Sequence, residues 1–160
     1  MKNHRVIFYR VLWSVLSILT VAFIFINSIF DADLSAQQSG SVLTFLNYIL
    51  SHISDSLILT EHFVRKCAHF AEYFTLGAFL FLACKSFLLR LNAKILLAPV
   101  VGLAVAIIDE FIQRFSVGRS SQLSDVLLDF SGVCTACVLL FVICKLVYNF
   151  KKNNDKEVIK

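Results

Sequence analysis

Long uncharged runs alternate with polar segments along this chain of 160 residues. The first run, 11–30, contains no charged residue and is long enough to cross a bilayer, which takes about 20 helical residues. The runs at 73–84, 95–108 and 130–144 are shorter than that. Each of these three reaches spanning length only if it is extended through carboxylate residues at one end. The pattern predicts membrane helices over about 11–30, 67–87, 95–115 and 125–146.

Lysine and arginine residues indicate how these helices are oriented. They precede the first run, separate the second from the third and follow the fourth, whereas 11–64 contains none. Because basic loops stay on the cytoplasmic side, both termini and the 85–94 loop are predicted to be cytoplasmic, and 31–64 and 116–123 to face outward. The predicted parts are a basic cytoplasmic N-terminus (1–10), a four-helix transmembrane domain (11–148) and a cytoplasmic polar tail (149–160).

The outward segment between the first two spans has a helical pattern of its own. Val42, Phe45 and Ile49 recur at helical spacing, and Thr44 and Ser51 lie away from that face. This pattern predicts an amphipathic helix that lies in the outer interface or, alternatively, packs on the bundle as a lid. The predicted fold is therefore an all-α membrane protein, a small bundle of four transmembrane helices with an amphipathic outer-face helix between the first and second.

Composition agrees with this assignment. Hydrophobic residues make up 58% of the chain and the mean hydropathy is +0.78, which is typical of an integral membrane protein. The net charge of +4 sits mainly at the ends and in one loop, so it reflects topology and argues against a nucleic-acid surface. The 5 cysteines all lie in apolar stretches and their number is odd, so we expect packing residues rather than disulfides.

Ionisable residues concentrate at the outer ends of the second, third and fourth predicted spans. Arg65, His69 and Glu72 stack on one helical face, and Gly132 follows Asp129 by one turn, where a neighbouring helix can approach closely. Ionisable groups within a membrane normally face the bundle interior and mark a site. We therefore predict an outward-facing polar pocket that binds a ligand through Arg65, Lys66, His69, Glu72, Tyr73, Asp109, Glu110, Gln113, Arg119, Asp125 and Asp129.

Two sequence blocks resemble a known family. They are RKCAHFAEYFTLG at 65–77 and DEFIQRFSVGRSSQLSDVLLDFSG at 109–132. Their residues resemble the VanZ-like pattern RK-x-x-H-F-x-E-Y-x-x-L-G, then D-E-x-x-Q-x-F and G-R-x-x-x-x-x-D, although Arg114 is not a position of that pattern. The resemblance implies a multi-pass protein of the bacterial plasma membrane and, through the family's namesake, an association with resistance to teicoplanin and other glycopeptides. It implies no particular biochemical activity.

Three functions stay open, and we favour the first. In the first, the pocket binds a lipid-linked or cell-wall-related ligand whose phosphate or carboxylate is held by Arg65, Lys66, Arg114 and Arg119. In the second, the chain is a membrane-embedded hydrolase or transferase acting on a lipid head group. In the third, it is a structural or partner-binding protein in which the polar residues only hold the bundle together. Lipid surrounds the protein in all three.

The enzyme hypothesis assigns acid–base chemistry to the polar residues. Its candidate catalytic residues are His69, Glu72, Asp109, Glu110 and Asp125. No cofactor is predicted. A divalent metal held by His69, Glu72, Glu110 and Asp125 is an alternative within this hypothesis, although these residues match no known metal signature.

Overall fold

The chain forms helices throughout the part that can be described. The computed structural model describes residues 2–29, 32–52, 58–87, 91–116 and 122–158. These residues contain no strand, and their helices are α1 (Lys2–Ile29), α2 (Ala32–Ser51), α3 (Glu61–Ser86), α4 (Leu91–Gln113) and α5 (Leu123–Val158). The predicted all-α fold is confirmed.

Four of the described helices are long and apolar enough to cross a membrane. The candidate spans are His4–Ile29, Glu61–Ser86, Leu96–Gln113 and Leu123–Asn154, and they match the four predicted spans. The helices extend beyond the predicted limits at several ends, most clearly in α5, which continues to Val158. Apolarity marks only the part of a helix that lies in lipid, whereas the backbone hydrogen bonds continue wherever the sequence tolerates helix.

The start of α3 determines where its polar residues lie. Thr60 is the N-cap, and its side chain accepts a hydrogen bond of 3.3 Å from the backbone N–H of Phe63. Glu61 follows in the first turn, where its negative charge interacts favourably with the positive end of the helix dipole. The helix therefore begins six residues before the predicted limit, and 65–73 falls within its first turns.

Helices α3 and α5 approach each other through glycine. A Cβ added to Gly77 would lie 2.7 Å from the Cα of Val133, and one added to Gly132 would lie 2.7 Å from the carbonyl oxygen of Phe70. In lipid, where hydrophobic burial between helices is weak, such small residues allow tight van der Waals packing. The predicted close approach at Gly132 is confirmed. It sets the polar half of α3 directly against the start of α5.

The core lies between α1, α3, α4 and α5, and α3 contacts the other three. Ile24, Leu76, Val105 and Val133 are buried there, while apolar side chains such as Ile18 are exposed on the outer surface. Such a surface suits a lipid environment. All 5 cysteines are free thiols, and two of them, Cys84 and Cys137, belong to the core.

Helix α2 lies beside the start of α3. The Asn47 side chain accepts a hydrogen bond of 2.9 Å from the backbone N–H of Leu59 and donates one of 3.3 Å to the Leu59 carbonyl. The apolar side chains of Val42, Phe45 and Ile49 are exposed. The predicted helix between the first two spans is confirmed, and its outward apolar face favours the interfacial helix over the lid.

Candidate functional site

Polar side chains from four helices meet at one end of the bundle. The C-terminal ends of α1 and α4 lie there next to the N-terminal halves of α3 and α5, as the contacts between Ser28 and Asp109 and between Lys66 and Asp125 show. The structure thus brings together acidic residues that are distant in the sequence. Their surroundings differ from one residue to the next.

Asp109 is completely buried and its two carboxylate oxygens are satisfied. The Ser28 hydroxyl donates to Oδ1, and the Gln113 amide donates to Oδ2 over 2.9 Å. The Ser116 hydroxyl donates to the backbone carbonyl of Ser28 over 2.7 Å, which supplies a partner for one of the last carbonyls of α1. We call Ser28, Asp109, Gln113 and Ser116 the α1–α4 network. It joins the C-terminal ends of α1 and α4 through hydrogen bonds that satisfy both oxygens of Asp109.

A second group lies between α3 and α5 and contains a buried carboxylate oxygen that has no hydrogen-bond partner among the described residues. We call His69, Tyr73 and Asp129 the α3–α5 group. Tyr73 is 0% exposed and interacts electrostatically with Asp109 and Asp129. Asp129 is 2% exposed, and its Oδ1 has no hydrogen-bond partner among the described residues. Because buried polar atoms normally have such partners, this carboxylate retains binding capacity.

The two groups touch at three side chains of types that can bind a metal ion. His69, Asp109 and Asp129 each place one ligand atom within 4.8 Å of those of the other two. They come from three different helices. Asp129 also experiences the negative charges of Asp109, Asp125, Glu110 and Glu72. Burial of several carboxylates in a membrane costs free energy unless protons, cations or hydrogen bonds compensate for it.

Lys66, Glu72 and Asp125 form a partly exposed rim, whereas Glu110 is buried at 5% exposure. Lys66 Nζ lies 3.2 Å from Asp125 Oδ1, and about a third of each side chain is exposed, at 34% and 33%. Glu72 accepts a hydrogen bond of 3.4 Å from Asn27, and Glu110 accepts one from the backbone N–H of Gln122. Neutral donors therefore hold both glutamates.

The predicted arginines are less closely associated with the buried groups. Arg65 is half-buried and Arg114 is exposed, and neither forms an ion pair with another described residue. Arg119 lies outside the described residues. Within the described part of the chain, the buried interior is thus acidic, with one imidazole, and the basic side chains lie towards its edge.

An apolar groove adjoins the rim between α1 and α3. Its cavity volume is about 390 Å³, and Leu16, Leu19 and Phe23 form one wall. The facing wall on α3 includes Glu72, the charged residue of the lining, and Thr75. The groove therefore places an apolar trough next to the acidic cluster.

Sequence reasoning did not identify Asn27, Ser28 and Ser116 as part of this site. Asn27 and Ser28 end an otherwise apolar run, and that local change from apolar to amide and hydroxyl side chains was the available signal. A search for charged residues within the spans passes over all three because none of them carries a charge. Their partners on α3 and α4 follow only from helix packing.

A comparison with protein families gives the same assignment as the sequence blocks and the apolar helices. The VanZ/LLP1 family model matches residues 13–145, which include all of the second and third apolar helices, most of the first and fourth, and every residue of both polar groups. The chain belongs to the VanZ/LLP1 family. The resemblance carried by the blocks at 65–77 and 109–132 is thereby confirmed, and this VanZ/LLP1 protein is a membrane protein by family and by its apolar helices. No curated protein and no solved structure matches the chain.

Proposed function

We propose that this VanZ/LLP1 protein binds a lipid-linked or cell-envelope amphiphile at the outer face of the bacterial plasma membrane. The observation that carries the proposal is the direct contact between an apolar groove and a polar cluster, since Glu72 belongs to both. An amphiphile needs these two environments side by side. Its acyl chain lies in the α1–α3 groove and its polar group reaches the cluster.

The lining of the groove suits a hydrocarbon chain. Leu16, Leu19 and Phe23 present apolar surface along about two turns of α1. Ligand sites of this size are mostly apolar, with a few polar groups that orient the ligand. Thr20 and Thr75 also line the groove, but their hydroxyls donate to the Leu16 and Ala71 carbonyls, so Glu72 is the group that orients the ligand.

The rim suits a charged head group. Lys66 bridges to Asp125, and Arg65 and Arg114 have guanidinium groups without a described ion-pair partner. Arginine binds phosphate and carboxylate in a bidentate manner, so these side chains, together with Arg119, are the proposed anion contacts. The buried acids orient hydroxyl or amino groups of the same ligand. Occupation of this site at the outer surface lowers susceptibility to a lipophilic glycopeptide such as teicoplanin in this proposal.

The groove can be tested with a pair of neighbouring substitutions. Leu19→Trp fills the groove, whereas Ile18→Trp adds the same side chain at a position that is 67% exposed and does not line the groove. We expect native mass spectrometry of gently purified protein to detect a bound amphiphile in the wild type and in Ile18→Trp. Leu19→Trp should lose it. Equal occupancy in both variants would contradict the proposal.

A second candidate function is favoured by the position of His69 near Asp109. In this alternative the protein is a membrane-embedded hydrolase or transferase, and the His69 imidazole takes a proton from water or from a hydroxyl group of the substrate. Asp109, fixed by Ser28 and Gln113, stabilises the resulting imidazolium. Turnover of lipid head groups by wild-type protein that is lost in His69→Ala would support this function. Ligand binding without turnover would favour the first.

A further inference from the structure

We propose that His69, Asp109 and Asp129 bind one divalent transition-metal ion, Zn²⁺ or Mn²⁺, between α3, α4 and α5. One ligand atom of each residue lies within 4.8 Å of the others. Ligand atoms around a tetrahedral metal at ~2.1 Å are ~3.4 Å apart, so small side-chain rotations bring this group to metal-binding distances. The inference does not rest on the proposed amphiphile.

A second observation points to a ligand at the same place. Asp129 Oδ1 is buried and has no hydrogen-bond partner among the described residues, although the side chain is only 2% exposed. Native proteins rarely leave buried oxygen atoms without a partner. A metal ion bound by Asp129 supplies that partner.

A bound divalent cation also compensates for the charge of the cluster. Asp129 experiences the negative charges of four other carboxylates, and neither it nor Asp109 forms an ion pair with a lysine or arginine in the described part of the chain. Lys66 is already paired with Asp125. Two aspartates and a neutral imidazole carry two negative charges, which one divalent cation neutralises.

The surroundings of Asp109 resemble those of a metal ligand. Ser28 and Gln113 hold its two oxygens by hydrogen bonds, and a carboxylate has about four acceptor sites, so Asp109 keeps capacity for a metal. Such outer hydrogen bonds orient ligating carboxylates. One nitrogen with two carboxylate oxygens favours a transition metal over Ca²⁺ or Mg²⁺, which prefer oxygen ligands alone. The set differs from that considered from the sequence, since Asp109 and Asp129 accompany His69.

The test uses the full-length protein in nanodiscs after treatment with a chelator. Zn²⁺, Mn²⁺, Ca²⁺ and Mg²⁺ are added separately, and metal content and thermal unfolding are measured. We expect one Zn²⁺ or Mn²⁺ per chain and a rise of several degrees in Tm, with little response to Ca²⁺ or Mg²⁺. The electron paramagnetic resonance spectrum of Mn²⁺ should broaden on binding. A Cys134→Ser/Cys137→Ser background excludes Zn²⁺ held by that pair of thiols.

Matched variants locate the ion. Asp129→Asn and His69→Gln should lose the bound metal and the Tm shift, whereas Asp125→Asn and His62→Gln, which alter an acid and an exposed histidine on the same two helices, should retain both. Metal that binds equally to Asp129→Asn would overturn the site. So would a folded wild type that binds none of these cations. If Asp129→Asn does not fold, the metal content of His69→Gln and of the wild type decides whether the site exists. Amphiphile binding is measured in a separate experiment.

Discussion

Asp109 and Asp129 are both buried at the same end of the bundle, yet their surroundings are opposite. Asp109 accepts hydrogen bonds from Ser28 and Gln113, and Asp129 accepts none from the described residues. Burial alone therefore does not reveal the role of a carboxylate in a membrane protein. The α1–α4 network uses its acid to hold two helices together. The α3–α5 group instead contains a buried acid whose Oδ1 has no hydrogen-bond partner among the described residues.

The largest expected effect comes from separating α3 and α5. Gly132→Val places a branched side chain where even a Cβ would approach the Phe70 carbonyl oxygen to 2.7 Å. Since backbone atoms cannot move aside cheaply, we expect the free energy of unfolding to fall by ~3 kcal/mol. Thermal unfolding in detergent and abundance in membranes measure this loss.

The control for that substitution is another helical glycine. A Cβ at Gly40 meets nothing within 4 Å, so Gly40→Ala should be tolerated or slightly stabilising. Equal losses in the two variants would show that the close contact between α3 and α5 is not what the Gly132 substitution disrupts.

A smaller effect is expected when the α1–α4 network loses a donor. Ser28→Ala removes the hydroxyl that donates to Asp109 and leaves a buried carboxylate oxygen without that partner. The expected cost is ~1–2 kcal/mol of unfolding free energy. Ser17→Ala on the same helix loses only a bond to the Trp13 carbonyl and should cost less. Chemical denaturation of both variants compares them, and a Ser17 effect as large as that of Ser28 would contradict a special role for the network.

Removing the charge of Asp129 should not destabilise the metal-free protein, in contrast to the loss of the Ser28 hydroxyl. In metal-free protein, Asp129→Asn relieves repulsion from neighbouring carboxylates without changing side-chain size. We expect Tm to stay the same or to rise, by the equivalent of ~1 kcal/mol at most. The corresponding Asp109→Asn should lower Tm because the amide nitrogen cannot accept the hydrogen bond that the carboxylate oxygen accepts. Similar losses of stability in both variants would remove the distinction between the two acids.

The smallest effect is expected at the rim. Lys66→Met breaks a partly exposed ion pair with Asp125. Such pairs contribute ~0.5 kcal/mol and are screened by salt. The difference in Tm between variant and wild type should therefore shrink at high ionic strength. A large loss that does not respond to salt would place Lys66 in the packed structure rather than at the rim.

Much of the fold could be predicted because it depends on local properties of the chain. Lengths of apolar segments predict the four spans, and spacing in 41–54 predicts the helix between the first two. Gly132 predicts a close helix contact because few other residues permit one in lipid. The convergence of His69 and Asp129 was expected on the same grounds, since only the protein interior spares such groups from lipid.

The partners within the site were harder to predict. Ser28 lies 81 residues from Asp109 in the chain, and serine occurs in many membrane helices without such a contact. Its role depends on the relative position of α1 and α4 along their helix axes. That position arises from the packing of many apolar side chains together. No local pattern encodes that register.

The amino-acid sequence by itself determined that the chain enters a membrane and that its acids gather near one end of the spans. Apolar length and charge position are sufficient for this, because the bilayer penalises each misplaced charge separately. Tertiary structure decided which acid receives hydrogen-bond donors. That outcome depends on distances of a few ångströms between helices, so Asp109 became part of a closed network, while Asp129 Oδ1, close to His69, has no hydrogen-bond partner among the described residues.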